Sequence, residues 1–405
     1  MRTKLTLLAV VLVAAAVTAA AGARTGATPG VTGNSILIGG TAPLSGEASS
    51  AAAVAKGAEA YFKFAGTVNG RRINYKYVDD AYDPGRTVQA ARQLVQQDQV
   101  FALFNTLGTA NNIAIREFLN DQKVPQLFVA SGYTGWGRDA KKYPYTIGYI
   151  PTYSAEGQTY GRYLAKTKST AKIAVLYQDD DYGKDMVAGL KRGLGSKAGN
   201  IVKAVGYDPT QPNVDSQVAE LKATGATVFA NFAFGKFAIQ AFIQANRLGW
   251  RPTILVNAVA SSSNLLTLAT QTSSKATTSG AISIAFGKDP ADPSWAKDAG
   301  MKLFVKVMKR AGLGSADNLK NGYFIAGMAS AFTLVDTIKK AGKNLTREGV
   351  IRAARSLNEA NNPFLLPGIV VKTSASDPYP MEQMQLQRWN GTRWVRFGGL
   401  VTTKS

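Results

Sequence analysis

The chain has 405 residues, no Cys, no His and a formal net charge of +21. The missing Cys and His exclude disulfides, thiol or imidazole metal sites, a Ser-His-Asp triad, Cys-His nucleophiles and the acylated Cys of a bacterial lipoprotein. The basic residues come in scattered pairs (Arg71-Arg72, Lys141-Lys142, Lys191-Arg192, Lys309-Arg310, Lys339-Lys340), which reads as a solvated basic surface rather than a nucleic-acid groove.

Arg2 and Lys4 precede an apolar core from residue 5 to residue 17, and Ala21-Gly22-Ala23 follows as a small-x-small cleavage site. That layout is a Sec-type signal peptide over 1–23 and implies a secreted or periplasmic location. Removing Arg2 and Lys4 leaves 45 basic and 26 acidic residues, or +19. No other stretch is long and apolar enough to span a bilayer, so no span is expected in the mature chain. The length suggests two domains.

After a leader over 24–34, Ser35-Ile36-Leu37-Ile38-Gly39-Gly40 reads as a buried parallel strand. A turn over 41–47 and an Ala-rich helix over 48–64 follow. Further strands are predicted over 73–79, 100–104, 126–129 and 145–148, with helices over 84–97 and 111–120 between them. Asp83 should cap the helix that Pro84 opens. A second series begins after Ile150-Pro151. Its strands fall over 172–177, 201–206, 227–231, 253–257 and 280–286, and its helices over 156–166, 214–223 and 236–248, with one more after Tyr182-Gly183. Residues 261–279 read as loop or short helix, and helices return over 295–309, 319–340 and 346–354. The chain closes on two antiparallel strands, 383–389 and 393–397, around Asn390-Gly391, a strong hairpin signal.

This rhythm predicts an α/β fold with two doubly wound, Rossmann-like lobes. Crossings near Ile150, Ala285 and Asp377 place lobe one at 24–150 plus 286–377 and lobe two at 151–285 plus 378–405. Asp79, Asp80 and Asp83, like Asp179, Asp180 and Asp181, lack the spacing of a calcium loop and read as solvated loop carboxylates and caps. Gly193-Leu194-Gly195-Ser196-Lys197-Ala198 matches a dinucleotide fingerprint by letter, but it ends a helix instead of following a strand. No phosphate loop or nucleophile elbow is present, so an enzyme is not expected.

Three motifs in order carry a resemblance: Ala42-Pro43-Leu44-Ser45-Gly46, Asp79-Asp80-Ala81-Tyr82-Asp83-Pro84, and Asp181-Tyr182-Gly183 opening a helix. With them the mature chain resembles the periplasmic Leu/Ile/Val-binding protein family, the type I substrate-binding proteins of ABC transporters. The resemblance implies the periplasmic-binding-protein type I fold, with two lobes joined by a three-strand hinge and closing on a small ligand for an ABC permease. It implies a monomer with no cofactor, no metal and no nucleic-acid partner.

By the same resemblance, the ligand carboxylate falls to the turn Leu107-Gly108-Thr109-Ala110, a helix N-terminus suited to anions, and a second turn falls at Ser131-Gly132-Tyr133. Tyr182 matches a Tyr that packs on the ligand, Phe234 falls near another aromatic position, and Tyr133 and Tyr153 join these rings to line an aromatic cleft. Ser45 is either a ligand contact or a cap of the first helix. The family's acidic partner for an α-ammonium aligns near Asn257-Ala258-Val259, where this chain has no carboxylate. The ligand expected is therefore a small carboxylate, with aromatic acids among the candidates; a branched-chain or other amino acid is the alternative, and a ligand sensor on the same fold is another.

Overall fold

The computed structural model describes residues 28–404, and the expected signal peptide lies outside the described residues. The chain folds as two sheets with helices on their faces. The first sheet contains β1 (Ser35–Ala42), β2 (Thr67–Val68), β3 (Arg71–Asp79), β4 (Ala102–Phe104), β5 (Gln126–Val129) and β6 (Thr146–Gly148), in the order β2-β3-β1-β4-β5-β6. All pairs are parallel except the β2–β3 hairpin at one edge.

The second sheet contains β7 (Ile173–Gln178), β8 (Ile201–Tyr207), β9 (Val228–Phe232), β10 (Thr253–Val256) and β11 (Ile282–Ala285), parallel in the order β8-β7-β9-β10-β11. A small antiparallel pair, β12 (Asn358–Glu359) and β13 (Val371–Lys372), lies on the return path. The chain then adds β14 (Gln383–Trp389) antiparallel to β11, β15 (Trp394–Arg396) beyond it, and β16 (Val401–Thr402) against the start of β14. The turn at Asn390-Gly391 is longer than the two-residue loop those letters suggest. Trp389 pairs with Trp394, and Asn390 closes a four-residue loop by accepting from the Arg393 N–H.

The helices follow the predicted alternation, with shifted ends. They are α1 (Ala53–Ala65), α2 (Pro84–Arg92), α3 (Thr109–Asp121) and α4 (Gly135–Arg138) around the first sheet, and α5 (Tyr153–Thr167), α6 (Asp181–Leu194), α7 (Asp215–Ala223), α8 (Lys236–Arg247), α9 (Ser263–Thr272) and α10 (Lys275–Thr278) around the second. The return segment forms α11 (Ala299–Arg310), α12 (Gly322–Ala341) and α13 (Arg347–Ala354), and α12 packs along α1 on the first sheet's side. Asp83 caps α2 by accepting from the Arg86 N–H at 2.7 Å, as the Asp-Pro pair predicts. Asp180 caps α6 in the same way, accepting from Gly183. Gly195 ends α6 with φ +55°, so the fingerprint letters there do form a helix terminus. No helix among the described residues is long and apolar enough to cross a membrane.

One helix pair positions the site. α5 and α6 run side by side in the same direction, and their backbones touch through glycines. A Cβ on Gly189 would lie 2.2 Å from the Ser154 carbonyl oxygen, and one on Gly157 would lie 2.4 Å from that of Met186. Only the bare backbone permits this approach. The parallel crossing delivers both helix N-termini to one place, so Tyr153 and Tyr182 meet with ring centroids 4.6 Å apart.

Candidate ligand-binding site

In parallel sheets, loops leaving the carboxyl ends of the strands converge on the ligand edge. Here those loops from both sheets face one another around a cavity of about 180 Å³. Tyr82 follows β3, Asn105 to Gly108 follow β4, and Ala130 follows β5. Tyr182 follows β7, Phe234 follows β9, and Ala258 to Ser263 follow β10. The floor comes from two of the places where the chain passes between sheets, Tyr149-Ile150 and Ala285-Phe286, with Ile325, Ala329 and Phe364 behind them. The lining is mostly rings and aliphatic groups.

The first-sheet wall is held by hydrogen bonds behind the cavity. Ala81 and Tyr82 both have left-handed backbones (φ +48° and +64°), a conformation that costs a non-glycine residue free energy. Two carboxylates hold the turn: Asp79 accepts from the Ala81 N–H, and Asp80 accepts from the Tyr82 N–H and the Thr87 hydroxyl. Asp80 is fully buried, which corrects its reading as a solvated loop carboxylate. Burial raises its pKa, and its hydrogen bonds partly offset that. The loop presents the Tyr82 ring to Phe234 of the other lobe at 5.4 Å. Gly108 must be glycine: its φ is +101°, and a Cβ would sit 2.5 Å from Asn111 Oδ1 and 2.8 Å from the Tyr82 ring.

Of the residues singled out from sequence, Leu107, Gly108, Tyr153, Tyr182 and Phe234 line the cavity. Thr109, Ser131 and Gly132 stand one layer behind. Thr109 Oγ1 and Ser131 Oγ are 2.7 Å apart, and the Trp136 indole N–H donates to Ser131. The Tyr153 ring covers Gly132. Burial raises the Tyr153 pKa, while hydrogen bonds from the Gly132 backbone and Ser131 act against that rise. Within the second predicted turn the Ser131 N–H donates to the Val129 carbonyl and the Tyr133 N–H to Ser131 Oγ, while the Gly132 carbonyl accepts from the Tyr153 N–H.

Three residues lie away from the lining. Tyr133 stacks edge-on against Trp136 and accepts from Arg138. Ser45 donates to Asp79 at 2.5 Å and caps no helix, because the first helical segment starts at Ser49 with Ala48 as its cap. Asn257 is fully buried and turns back into its own loop, accepting from the Ala260 N–H and donating to the Ala233 carbonyl. Its neighbours Ala258 and Val259 face the cavity instead.

Sequence reading passed over Tyr82, Asn105, Tyr149, Phe286, Tyr323 and Asp289, all of which line the cavity. Asn105 and Tyr149 each stand directly after a predicted strand, and Phe286 is the last residue of one; that position was the available signal. Three lining residues carry a buried polar atom with no hydrogen-bond partner among the described residues: Asn105 Oδ1, the Tyr182 hydroxyl and Ser262 Oγ. Asp289 accepts from the Ser263 hydroxyl and the Ala291 N–H, and burial raises its pKa. Behind Ala258, the buried Glu156 accepts from the Ala258 N–H and the Tyr160 hydroxyl, and burial pushes its pKa up to about 7.

The lobes are in contact across the cleft. The Thr134 N–H and hydroxyl both donate to Asp185, at 2.8 and 2.7 Å, and Lys236 pairs with Glu47 at 2.7 Å. Two α/β lobes around an apolar cavity, fed by loops from both sheets, form the architecture of a solute-binding protein.

The family model described as periplasmic binding protein matches residues 35–393, so the chain belongs to that family, a family of binding proteins rather than of enzymes. Its fold is shared by a branched-chain amino acid ABC transporter protein from Thermus thermophilus with bound valine, at TM-score 0.80 and 17% identity over 92% of this chain and 98% of that one. A solute-binding protein from Rhodopseudomonas palustris in complex with benzoate matches at TM-score 0.76 and 18% identity, over 91% and 97% of the two chains. A Leu/Ile/Val-binding protein homologue from Brucella melitensis is 28% identical over 200 residues, covering 48% of this chain and 53% of that protein. The matched stretch thus spans about half the length of this curated relative.

Proposed function

We propose that the chain is an extracytoplasmic solute-binding protein that closes on a small carboxylate, an aromatic acid foremost, and delivers it to an ABC permease as a monomer. We place the hinge at the crossings near Ile150, Ala285 and Asp377, with lobes at 24–150 plus 286–377 and 151–285 plus 378–405. The ends of β6 at Gly148 and β11 at Ala285, and the start of β14 at Gln383, support that division.

One observation carries the ligand class: where an α-ammonium would need an acidic partner, the wall is Ala258 and Val259. An unpaired ammonium buried there is costly. Size agrees, since an apolar protein cavity of about 150 Å³ takes up one benzene molecule, and this one is about 180 Å³. Tyr82, Tyr153, Tyr182 and Phe234 supply ring faces and edges for an aromatic body. The carboxylate goes to the N-terminus of α3 beside Leu107 and Gly108, where first-turn N–H groups have no intrahelical acceptor. Thr109 and Ser131 brace that turn from behind. The benzoate complex of the Rhodopseudomonas palustris protein shows that this fold accommodates such an acid.

A second reading rests on Asp289, a carboxylate that does line the cavity. It would serve an amino acid bound with its ammonium toward the Ser263 end. Thermal shift and calorimetry on the mature protein against benzoates, short aliphatic acids and amino acids separate the two. A ligand at a hundred times its dissociation constant adds about 2.7 kcal/mol. Shifts with non-amino carboxylates alone support the acid reading. Micromolar leucine binding that Asp289→Asn abolishes sinks it in favour of the second.

A further inference from the structure

Three basic pairs that lie far apart in the sequence, Arg71-Arg72, Lys309-Arg310 and Lys339-Lys340, meet in the fold. They gather at the pole of the first lobe formed by the amino ends of its parallel strands, opposite the cavity. Arg71 opens β3 and donates to the Lys343 carbonyl at 2.9 Å, just past the end of α12. Asn69 of the same hairpin donates to the Ile338 carbonyl. Lys306 and Arg310 of α11 both lie over the Phe64 ring, at 5.7 and 5.8 Å, where α1 ends beside that hairpin. The acids of α1, α11 and α12 are Glu59 and Asp336 alone, and Lys63 and Lys339 already occupy them. Arg72, Lys306, Lys309, Arg310 and Lys343 are exposed and form no ion pair among the described residues. Bases at helix carboxyl ends complement the helix dipole, but each end offers only about half a charge, and only to its last turn. Lys302 and Lys306 stand before the last turn of α11, and with Arg310 they repeat at i, i+4 and i+8. Such a row of like charges destabilises a helix by itself.

We propose that this pole of the first lobe docks on an anionic lipid bilayer, whose phosphates take up the cations that the protein leaves unpaired. The described chain also begins here. Thr28 donates to the Leu345 carbonyl at 3.2 Å, so residues 1–27, apolar over 5–17, connect beside Lys343. A chain held at a membrane through that run presents this face to the lipid first. The contact is between charges alone, since no large apolar side chain of these elements is exposed among the described residues. The stacking rings that hold single-stranded nucleic acid are missing for the same reason. α12 runs from Tyr323 at the cavity to Ala341 at the pole, twenty residues or about 30 Å. That distance is several screening lengths at physiological salt, so docking leaves the cavity free and does not depend on which ligand it takes.

The test is co-sedimentation of the full mature chain with vesicles of phosphatidylglycerol and phosphatidylcholine in equal parts, against phosphatidylcholine alone. Binding is expected to the first only, and it should be lost near about 0.5 M salt. Replacing Lys306, Lys309 and Arg310 together by Gln should weaken partitioning about a hundredfold, with the thermal midpoint equal or higher because the like-charge row is gone. The control removes three charges from the second lobe, Lys166, Lys168 and Lys191, which are exposed at the ends of α5 and α6. That variant has the same net charge and should lose less than about threefold. If the α11 variant folds poorly, Gln at Lys339, Lys340 and Lys343 repeats the test on the same pole. Equal losses from the two lobes overturn the proposal, because net charge alone then explains binding. No binding to the anionic vesicles overturns it as well, and capture of the chain by soluble polyphosphate in that case assigns the pole to a polymer instead of a bilayer.

Discussion

The two lobes share a strand order and differ in how they face the cavity. Setting aside its antiparallel edge strand, the first sheet reads β3-β1-β4-β5-β6, and the parallel part of the second reads β8-β7-β9-β10-β11. In the first lobe the loops leaving the strands are braced by hydrogen-bonded polar groups: Asp79 and the buried Asp80 under Tyr82, and the buried Thr109–Ser131 pair behind Gly108. In the second lobe the working groups are rings set by helix starts, with Tyr182 in the first turn of α6 and Phe234 just before α8. One wall is positioned by hydrogen bonds and the other by packing. A hydrogen-bonded turn tolerates change in the side chains it displays, whereas a packed helix pair transmits any added volume to the site.

The sharpest way to break that comparison is Gly189→Leu. The added side chain has no room beside the Ser154 carbonyl, so α5 and α6 must part. Overpacking costs about 1–3 kcal/mol where relaxation is possible, and against backbone the upper end or more is expected. Tyr153 and Tyr182 move with the helices, so ligand affinity should fall together with the thermal midpoint. A folded variant with wild-type affinity would show that the pair does not set the site.

A second effect depends on pH, and each lobe contributes to it. Burial pushes Glu156 up to about 7, and Glu359, bonded to Thr333 and Asn362, likewise to about 7. Both values lie above the ordinary carboxyl pKa of 4.5. The folded chain therefore holds protons that the unfolded chain has released. Their contribution is fully present below about pH 4.5 and is lost as pH rises through about 7. Melting curves from pH 5 to 8 should show a falling midpoint, worth about 2–3 kcal/mol for Glu156. Glu156→Gln should flatten part of that fall and Glu359→Gln another part. An unchanged slope in both would show that neither carboxyl is buried as neutral acid.

The core of each lobe was legible from residue pattern because strands there are short apolar runs between turns, and β5 and β14 fall at the predicted residues. The helix caps at Asp83 and Asp180 were legible because capping is local chemistry. The lining was legible only where a ring or a glycine stood in a motif, as with Tyr182 and Gly108. Asn105 and Asp289 were not, because what makes them important is the company they keep across the fold. Asn105 matters because Phe128 takes its amide nitrogen and leaves its oxygen open. Conversely, Asn257 looked exposed to the ligand by alignment, yet its side chain satisfies its own loop. Periodicity reports which face of an element is buried; it does not report which way a loop side chain turns.

Asp185→Ala asks how much of closure rests on the contact between lobes. Thr134 gives Asp185 two hydrogen bonds, and such bonds to a charged acceptor are worth about 1.5–3 kcal/mol each in stability measurements. In the open clamp water replaces them, so the net effect on closing is smaller. Ligand affinity should drop about tenfold, roughly 1.4 kcal/mol, while the unliganded midpoint stays nearly constant. A loss in midpoint equal to the loss in affinity would place Asp185 within one lobe's stability instead of between the lobes.

The smallest effect belongs to the rim. Lys236 and Glu47 meet at 2.7 Å, but the glutamate side chain is 59% exposed, so water and salt screen the pair. Exposed pairs contribute about 0–1 kcal/mol. The same rim also holds a backbone contact, the Lys236 N–H donating to the Glu47 carbonyl, and Gly235 stands beside it at φ +57° where a Cβ would come within 2.8 Å of that oxygen. The two contributions separate by substitution. Lys236→Met removes the charge and keeps the backbone bond, so affinity should change by less than about threefold, and the change should vanish near 0.5 M salt, where the screening length is only a few ångströms. Gly235→Val keeps the charge and blocks the approach, so its effect should be larger and indifferent to salt. If the charge change proves the larger and salt-sensitive one, closure at the rim is steered by electrostatics, and the packing rule drawn from the second lobe stops at the cavity wall.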